Sequence, residues 1–277
     1  MAFLGTIIKT LDIRDIKEEV IYPGLTSFSD LFALQKILIN HYVKIEGLPQ
    51  YPIDIHTKQS QNIIKDFSAR IIEEFGEGFE SYEIMMDMFH HGEDESDMIP
   101  HLQNFNEEVA DAIHFWLELM IFSGYEVSHL KKWMETDWEV SFSNPDLLSE
   151  YMKLGGYLVE THLPLVKIPK RMVIRDSDLR DEFLRGGRAL SKVLRQQMKV
   201  YLWDITYWLQ LARNTLKNKP WKQSHMLTDL GQYENALKKC AYSMFTFLAF
   251  SGFTKESLFH IYYKKNKVNQ FRIKSKY

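Results

Sequence analysis

Apolar residues recur every three to four positions over most of this 277-residue chain, and strict alternation is almost absent. From a cap at Ser27 or Ser29, Leu31, Leu34, Ile37 and Leu38 mark one face of a helix to about Glu46. Pro49 and Pro52 then break the chain. His56 or Thr57 opens a long helical stretch through Ile63, Ile64, Phe67, Ile71, Ile72, Phe75 and Phe79. His90 to Pro100 reads as a charged loop. Asn106 or Asn104 reads as the cap of a helix from Glu107 to Ser123, stopped at Gly124, with Glu107 and Glu108 suiting its positive end. Val127 to Trp138 predicts a short helix, and Asn144 to about Gly155 another. Leu163 to Ile174 reads as a connector or short strand. The longest run is Leu179 to about Leu216, with Gly186 and Gly187 as a kink. Helices over Thr228 to Ser251 and Lys255 to about Lys264 follow, and a basic tail closes the chain. Met1 to Gly24 reads as an extended lead-in. The class predicted is all-α.

A faint repeat runs through this pattern. Met120 to Tyr125 resembles Leu248 to Phe253, and each stretch closes a long helix before a short one. Aligned on Gly124 and Gly252, Glu108 falls opposite Ala236 and Asp111 opposite Lys239. A duplicated helical hairpin would give a four-helix core with acidic groups in the first copy and basic groups in the second.

Composition narrows the class. Hydrophobic residues make up 45% of the chain and charged ones 26%, which suits a folded core. A net charge of −3 gives no support for general nucleic-acid binding. The single cysteine, Cys240, excludes an internal disulfide framework and fits a reducing cytoplasm. Met1 to Ile8 is too short an apolar run for a signal sequence, and no stretch reaches the length of a membrane span.

Charge is unevenly placed. Glu73 to Asp97 holds ten acidic residues and no Lys or Arg, whereas Lys264 to Tyr277 holds six basic residues and no acidic one. Acidic patches attract metal ions and basic ones attract phosphates. Glu74 and Glu77 share a helix face, as do Glu108 and Asp111 on a later helix, with His114 a turn further on. Two such i, i+3 carboxylate pairs can enclose hard divalent cations such as Mg²⁺.

Four motifs in order resemble those of the dimeric, all-α dUTPases of the MazG-like nucleotide pyrophosphohydrolase superfamily. Leu34-Gln35 is similar to the N-terminal Leu-Gln motif. Glu74-Phe75-Gly76-Glu77 looks like the ExxE motif, and Glu108 to Asp111 followed by His114-Phe115 looks like ExxD with His-Phe. Lys265-Asn266, Asn269, Arg272 and Tyr277 keep the spacing of the C-terminal motif. The gap from Glu77 to Glu108 is longer than the family's, which leaves Glu77 with Glu80, or Glu73, open as ligands. A Trp-Lys stretch similar to the family's lies far downstream, at Pro220-Trp221-Lys222.

The resemblance implies a MazG-like bundle over residues 1–277, with 131–210 as a helical insertion, and a homodimer. It implies hydrolysis of dUTP to dUMP and pyrophosphate. Glu74, Glu77, Glu108 and Asp111 would hold two or more Mg²⁺ and carry catalysis. Lys265, Arg272, Lys219 and Lys222 would clamp phosphates; Asn266 and Asn269 would add hydrogen bonds, and Tyr277 would close the site. Gln35, His114, Phe115 and Trp221 would meet the base. A dCTP or modified-nucleotide pyrophosphatase of the same fold is the nearest alternative. A non-catalytic helical nucleotide-binding module is the alternative from another class. Neither a nucleic acid nor a membrane is an expected partner.

Overall fold

The computed structural model describes residues 24–134, 188–217, 228–251, 253 and 255–275. Among them are seven helices and no strand. These are α1 (Phe28–Glu46), α2 (Lys58–His91), α3 (Glu95–Phe122), α4 (Val127–Met134), α5 (Arg188–Thr215), α6 (Leu230–Phe250) and α7 (Lys255–Ser275). The all-α expectation holds. The stretches 144–155 and 163–174, the Gly186-Gly187 kink, and Lys219, Trp221, Lys222 and Tyr277 lie outside the described residues.

Four long helices form the centre as two antiparallel hairpins, α2 with α3 and α5 with α6, joined where α5 crosses α2. Lys199 pairs with Glu83 at 2.6 Å along that crossing. Apolar side chains of all four helices meet in one core, including Phe75, Phe105, Trp116, Tyr201, Leu209 and Phe247. Residues 188–210, within the segment expected as an insertion, are part of α5, and Tyr201, Ile205 and Leu209 are among its fully buried side chains. The last third of that segment therefore belongs to the core.

The hairpins end alike. Tyr125 N–H donates to Met120 O at 2.8 Å, and Phe253 N–H donates to Leu248 O at 3.0 Å. Gly124, with φ +84°, supplies the left-handed turn that the first of these bonds requires. Aligned on these ends, Phe105, Val109, Ala112, Ile113, Trp116 and Leu117 match Tyr233, Leu237, Cys240, Ala241, Met244 and Phe245, and every one of them is buried. The helix after each hairpin then crosses to the other. α7 lies on α3, where the Tyr262 ring stacks 4.2 Å from His114. α4 lies on α6, where Tyr242 OH donates to Trp133 O at 2.9 Å. The faint sequence repeat thus has a structural counterpart.

Three boundaries differ from the pattern reading. The loop expected over His90 to Pro100 shrinks to Gly92–Asp94, because α2 runs to His91 and α3 starts at Glu95. α3 carries on through Pro100, which removes one backbone donor near its start, because Met98, Leu102 and Phe105 are buried by the continued helix. Asn106 is therefore interior and 2% exposed, not a cap, and Glu107 and Glu108 lie mid-helix. The basic tail is helical as far as Ser275, and α7 buries Asn266 beyond the apolar stripe that ends at Tyr263.

Candidate metal centre

α2 and α3 cross closely at Gly78. A Cβ placed there would stand 3.2 Å from Glu108 Cβ and 3.5 Å from the Phe105 ring. The absent side chain lets the two helices approach, and this brings their carboxylates together. Glu74, from α2, and Glu108 and Asp111, from α3, each offer an oxygen within 4.8 Å of the others. All three side chains are half-buried. Glu77, one turn after Glu74, is exposed; its charge reaches Glu74 and Glu108, but its oxygens are not among the converging set. Glu73 and Glu80 are exposed and also lie outside that set.

The cluster is electrostatically loaded. Burial pushes the Glu74 carboxyl up to about 8, helped by its hydrogen bond to Glu108 and by the charges of Asp111, Glu108 and Glu77. In that bond Glu74 holds the proton and donates it, and Glu108 accepts. Burial also raises Glu108, with Glu74's hydrogen bond and the Lys265 charge opposing the rise. Asp111 is raised by burial, against the pull of Lys265 and Arg272. Three oxygen ligands with excess negative charge match the donor set of a hard divalent cation. These residues could hold a divalent metal ion.

α7 supplies the facing positive side. Lys265 Nζ lies 2.6 Å from Asp111 Oδ2. Asn269 and Arg272 follow at i+4 and i+7 from Lys265, on the same helix face, and the Arg272 charge is felt at Asp111. Asn266 points elsewhere. It is fully buried, and its Oδ1 accepts from Gln270 Nε2 at 2.8 Å.

One turn along α3 the site turns into core. His114 and Gln35 are 3% and 0% exposed. Gln35 Oε1 accepts from His114 Nδ1 at 2.7 Å and from Tyr262 OH at 2.6 Å, while Gln35 Nε2 donates to Glu118 Oε1 at 2.9 Å. A carbonyl oxygen can only accept, so the imidazole proton is on Nδ1. Burial pushes the His114 pKa down to about 3, which keeps the ring neutral. In this conformation Gln35 presents no edge to a base; it locks α1, α3 and α7 together. Phe115 is the ring that stays beside the cluster, half-buried, with the Arg70 guanidinium 5.3 Å from its centroid.

The sequence reading therefore placed the three converging carboxylates and Lys265, and missed Arg70, Glu118 and Tyr262. Arg70 and Glu118 stand four residues from Glu74 and His114 respectively, a same-face spacing that could have flagged both. Tyr262 stands four residues before Asn266 and three before Lys265, and carried the same signal. No family model, curated protein or solved structure matches the chain.

Proposed function

We propose that the protein is a Mg²⁺-dependent nucleoside triphosphate pyrophosphohydrolase, with dUTP as the substrate. One observation carries the reading: the C-terminal Lys265 pairs with Asp111 of the Glu74, Glu108 and Asp111 cluster and the Arg272 charge reaches it, although the two motifs are far apart in sequence. A carboxylate pocket beside a basic helix face suits a triphosphate bridged by divalent ions. Such ions, when bound, neutralise the phosphate chain and acidify water near it.

The chain's own groups divide the remaining work. Glu74, Glu108 and Asp111 hold metal, and the Glu77 charge adds to their field. Glu74, which holds a proton in the metal-free protein and would give it up when a divalent ion binds, is our choice for orienting water and taking its proton. Lys265 and Arg272 bind phosphate oxygens, Arg272 as a bidentate fork. Phe115, backed by Arg70, offers a stacking face for the base. The choice of uracil and the homodimer come from the motif resemblance, and the cytoplasmic setting from the single cysteine. Among the described residues no helix is long and apolar enough to cross a membrane.

The test is pyrophosphate release from dUTP, dCTP, dTTP, dATP, dGTP and UTP, with and without Mg²⁺, beside Glu108→Ala. Metal-dependent turnover of dUTP should fall at least about 100-fold in the variant, by analogy with the loss of other charge-stabilising groups. Preference for dCTP would keep the site and change the substrate. No turnover of any nucleotide by folded protein would leave a binding module and sink the enzyme reading.

A further inference from the structure

Lys265 holds Asp111 at the place where the proposed centre needs that carboxylate for metal. Nζ and Oδ2 are 2.6 Å apart, with the two side chains 15% and 20% exposed. The backbone beneath Lys265 is fixed: three residues earlier the Tyr262 ring stacks on His114 and its hydroxyl donates to Gln35. The ammonium is the mobile part, on a four-carbon stem that can swing without any shift of α7. Arg272 and Asn269, further along the same face, mark the direction in which a phosphate chain would draw it.

We infer that Lys265 is a resident counter-cation, occupying Asp111 in the metal-free protein and released to phosphate when a divalent ion takes its place. This rests on the metal centre proposed above and adds a coupling to it. A divalent ion and the ammonium compete for Asp111, so each weakens the other. A triphosphate draws the ammonium away and thereby opens the carboxylate to metal. Metal and nucleotide then bind with positive cooperativity, and the acidic cluster stays partly neutralised between turnovers.

The test is calorimetric titration of the full chain with Mn²⁺ alone. Lys265→Met should bind Mn²⁺ about tenfold more tightly than wild type, within the range of ordinary couplings between sites. Lys267→Met, which removes a charge on the same helix from over the Tyr263 ring, should change affinity less than about twofold. Lys265→Gln repeats the measurement with a polar side chain should the Met variant fail to fold. Equal or weaker Mn²⁺ binding by both Lys265 variants overturns the counter-cation role and leaves the metal centre standing. Absence of Mn²⁺ binding by wild type, matched by Glu108→Ala, removes the centre and the inference together.

Discussion

The two hairpins solve the same packing problem and end with opposite chemistry. Ile71, Phe75, Gly78 and Tyr82 of α2 repeat in burial as Ile205, Leu209 and Ala212 of α5 and Leu216 just past its end. In that register Glu74 corresponds to Trp208, Glu108 to Ala236 and Asp111 to Lys239. The counterparts also meet in space: Lys239 Nζ lies 4.3 Å over the Trp208 ring. The first hairpin gathers carboxylates and is left with surplus negative charge. The second places an ammonium on an aromatic face and needs no ion. Many core positions are shared, and the chemical difference centres on three positions, at which Glu74 and Asp111 have half-buried counterparts and Glu108 a buried one, Ala236.

The strongest way to break this comparison is to convert the second rim into the first. Trp208→Glu, Ala236→Glu and Lys239→Asp together should create a second divalent-ion site, doubling the Mn²⁺ bound per chain at saturation. Loss of the Trp208 ring leaves a gap and removes apolar contact, so the variant should also be less stable by about 2–4 kcal/mol without metal. A folded triple variant with unchanged Mn²⁺ stoichiometry would show that the two crossings are not equivalent.

The equivalence was partly legible in the sequence because helix ends are local. The Met120–Tyr125 and Leu248–Phe253 stretches each encode a stop, and the apolar spacing before them encodes a buried face. The ExxD spacing put Glu108 and Asp111 on one face for the same reason. What was not legible depends on contacts made across the chain. The polar stretch after Tyr263 reads as a tail because Asn266 interrupts the apolar stripe, yet that residue is fully buried on α7. Pro100 reads as a breaker because its cost is local, whereas the burial that offsets it is tertiary. Gln35 on α1 looks like a solvated amide until α3 and α7 close around it.

The covering helices offer the next contrast. α7 sits on the first hairpin through the buried Gln35 network, whereas α4 sits on the second through Trp133, whose Nε1 donates to Glu234 at 2.9 Å. Gln35→Leu strands the His114 N–H, leaves the Tyr262 hydroxyl only its longer bond to Leu31 O at 3.3 Å, and removes one bond to the mostly buried Glu118. The expected loss is about 3 kcal/mol, read as the denaturant midpoint at constant slope. Trp133→Phe should keep the ring packing and lose about 1 kcal/mol at a part-buried bond. Equal losses would mean that the polar network adds nothing beyond packing.

Acidity separates the rims next. The Glu74 carboxyl, near 4.5 in an open chain, is pushed up to about 8 when folded. Between those values the folded state binds the proton more tightly, so stability without metal falls as pH rises from about 4.5 towards 8. Glu74→Gln removes that loss. With divalent ions chelated, it should melt about 2–4 °C above wild type at pH 9 and at the wild-type temperature near pH 5. With Mg²⁺ present the order should reverse, because the variant lacks a charged ligand. A pH-independent difference would locate the effect in side-chain packing.

The smallest expected effect tests whether the second rim is stabilised by its cation at all. Lys239→Met keeps most of the aliphatic stem over Trp208 and deletes the charge. The loss should be about 0.5–1 kcal/mol, the usual worth of a partly exposed cation–π contact. Trp208→Leu removes the same contact from the other side, at a larger packing cost. The double variant should therefore fall short of the sum by about 0.5–1 kcal/mol. Mn²⁺ affinity should be unchanged in all three, because the acidic cluster sits in the other hairpin. Full additivity would mean that Lys239 and Trp208 stabilise the fold independently. The second hairpin would then hold its crossing closed by apolar packing alone, and of the two rims the acidic one of the first would be the one where charge is part of the design.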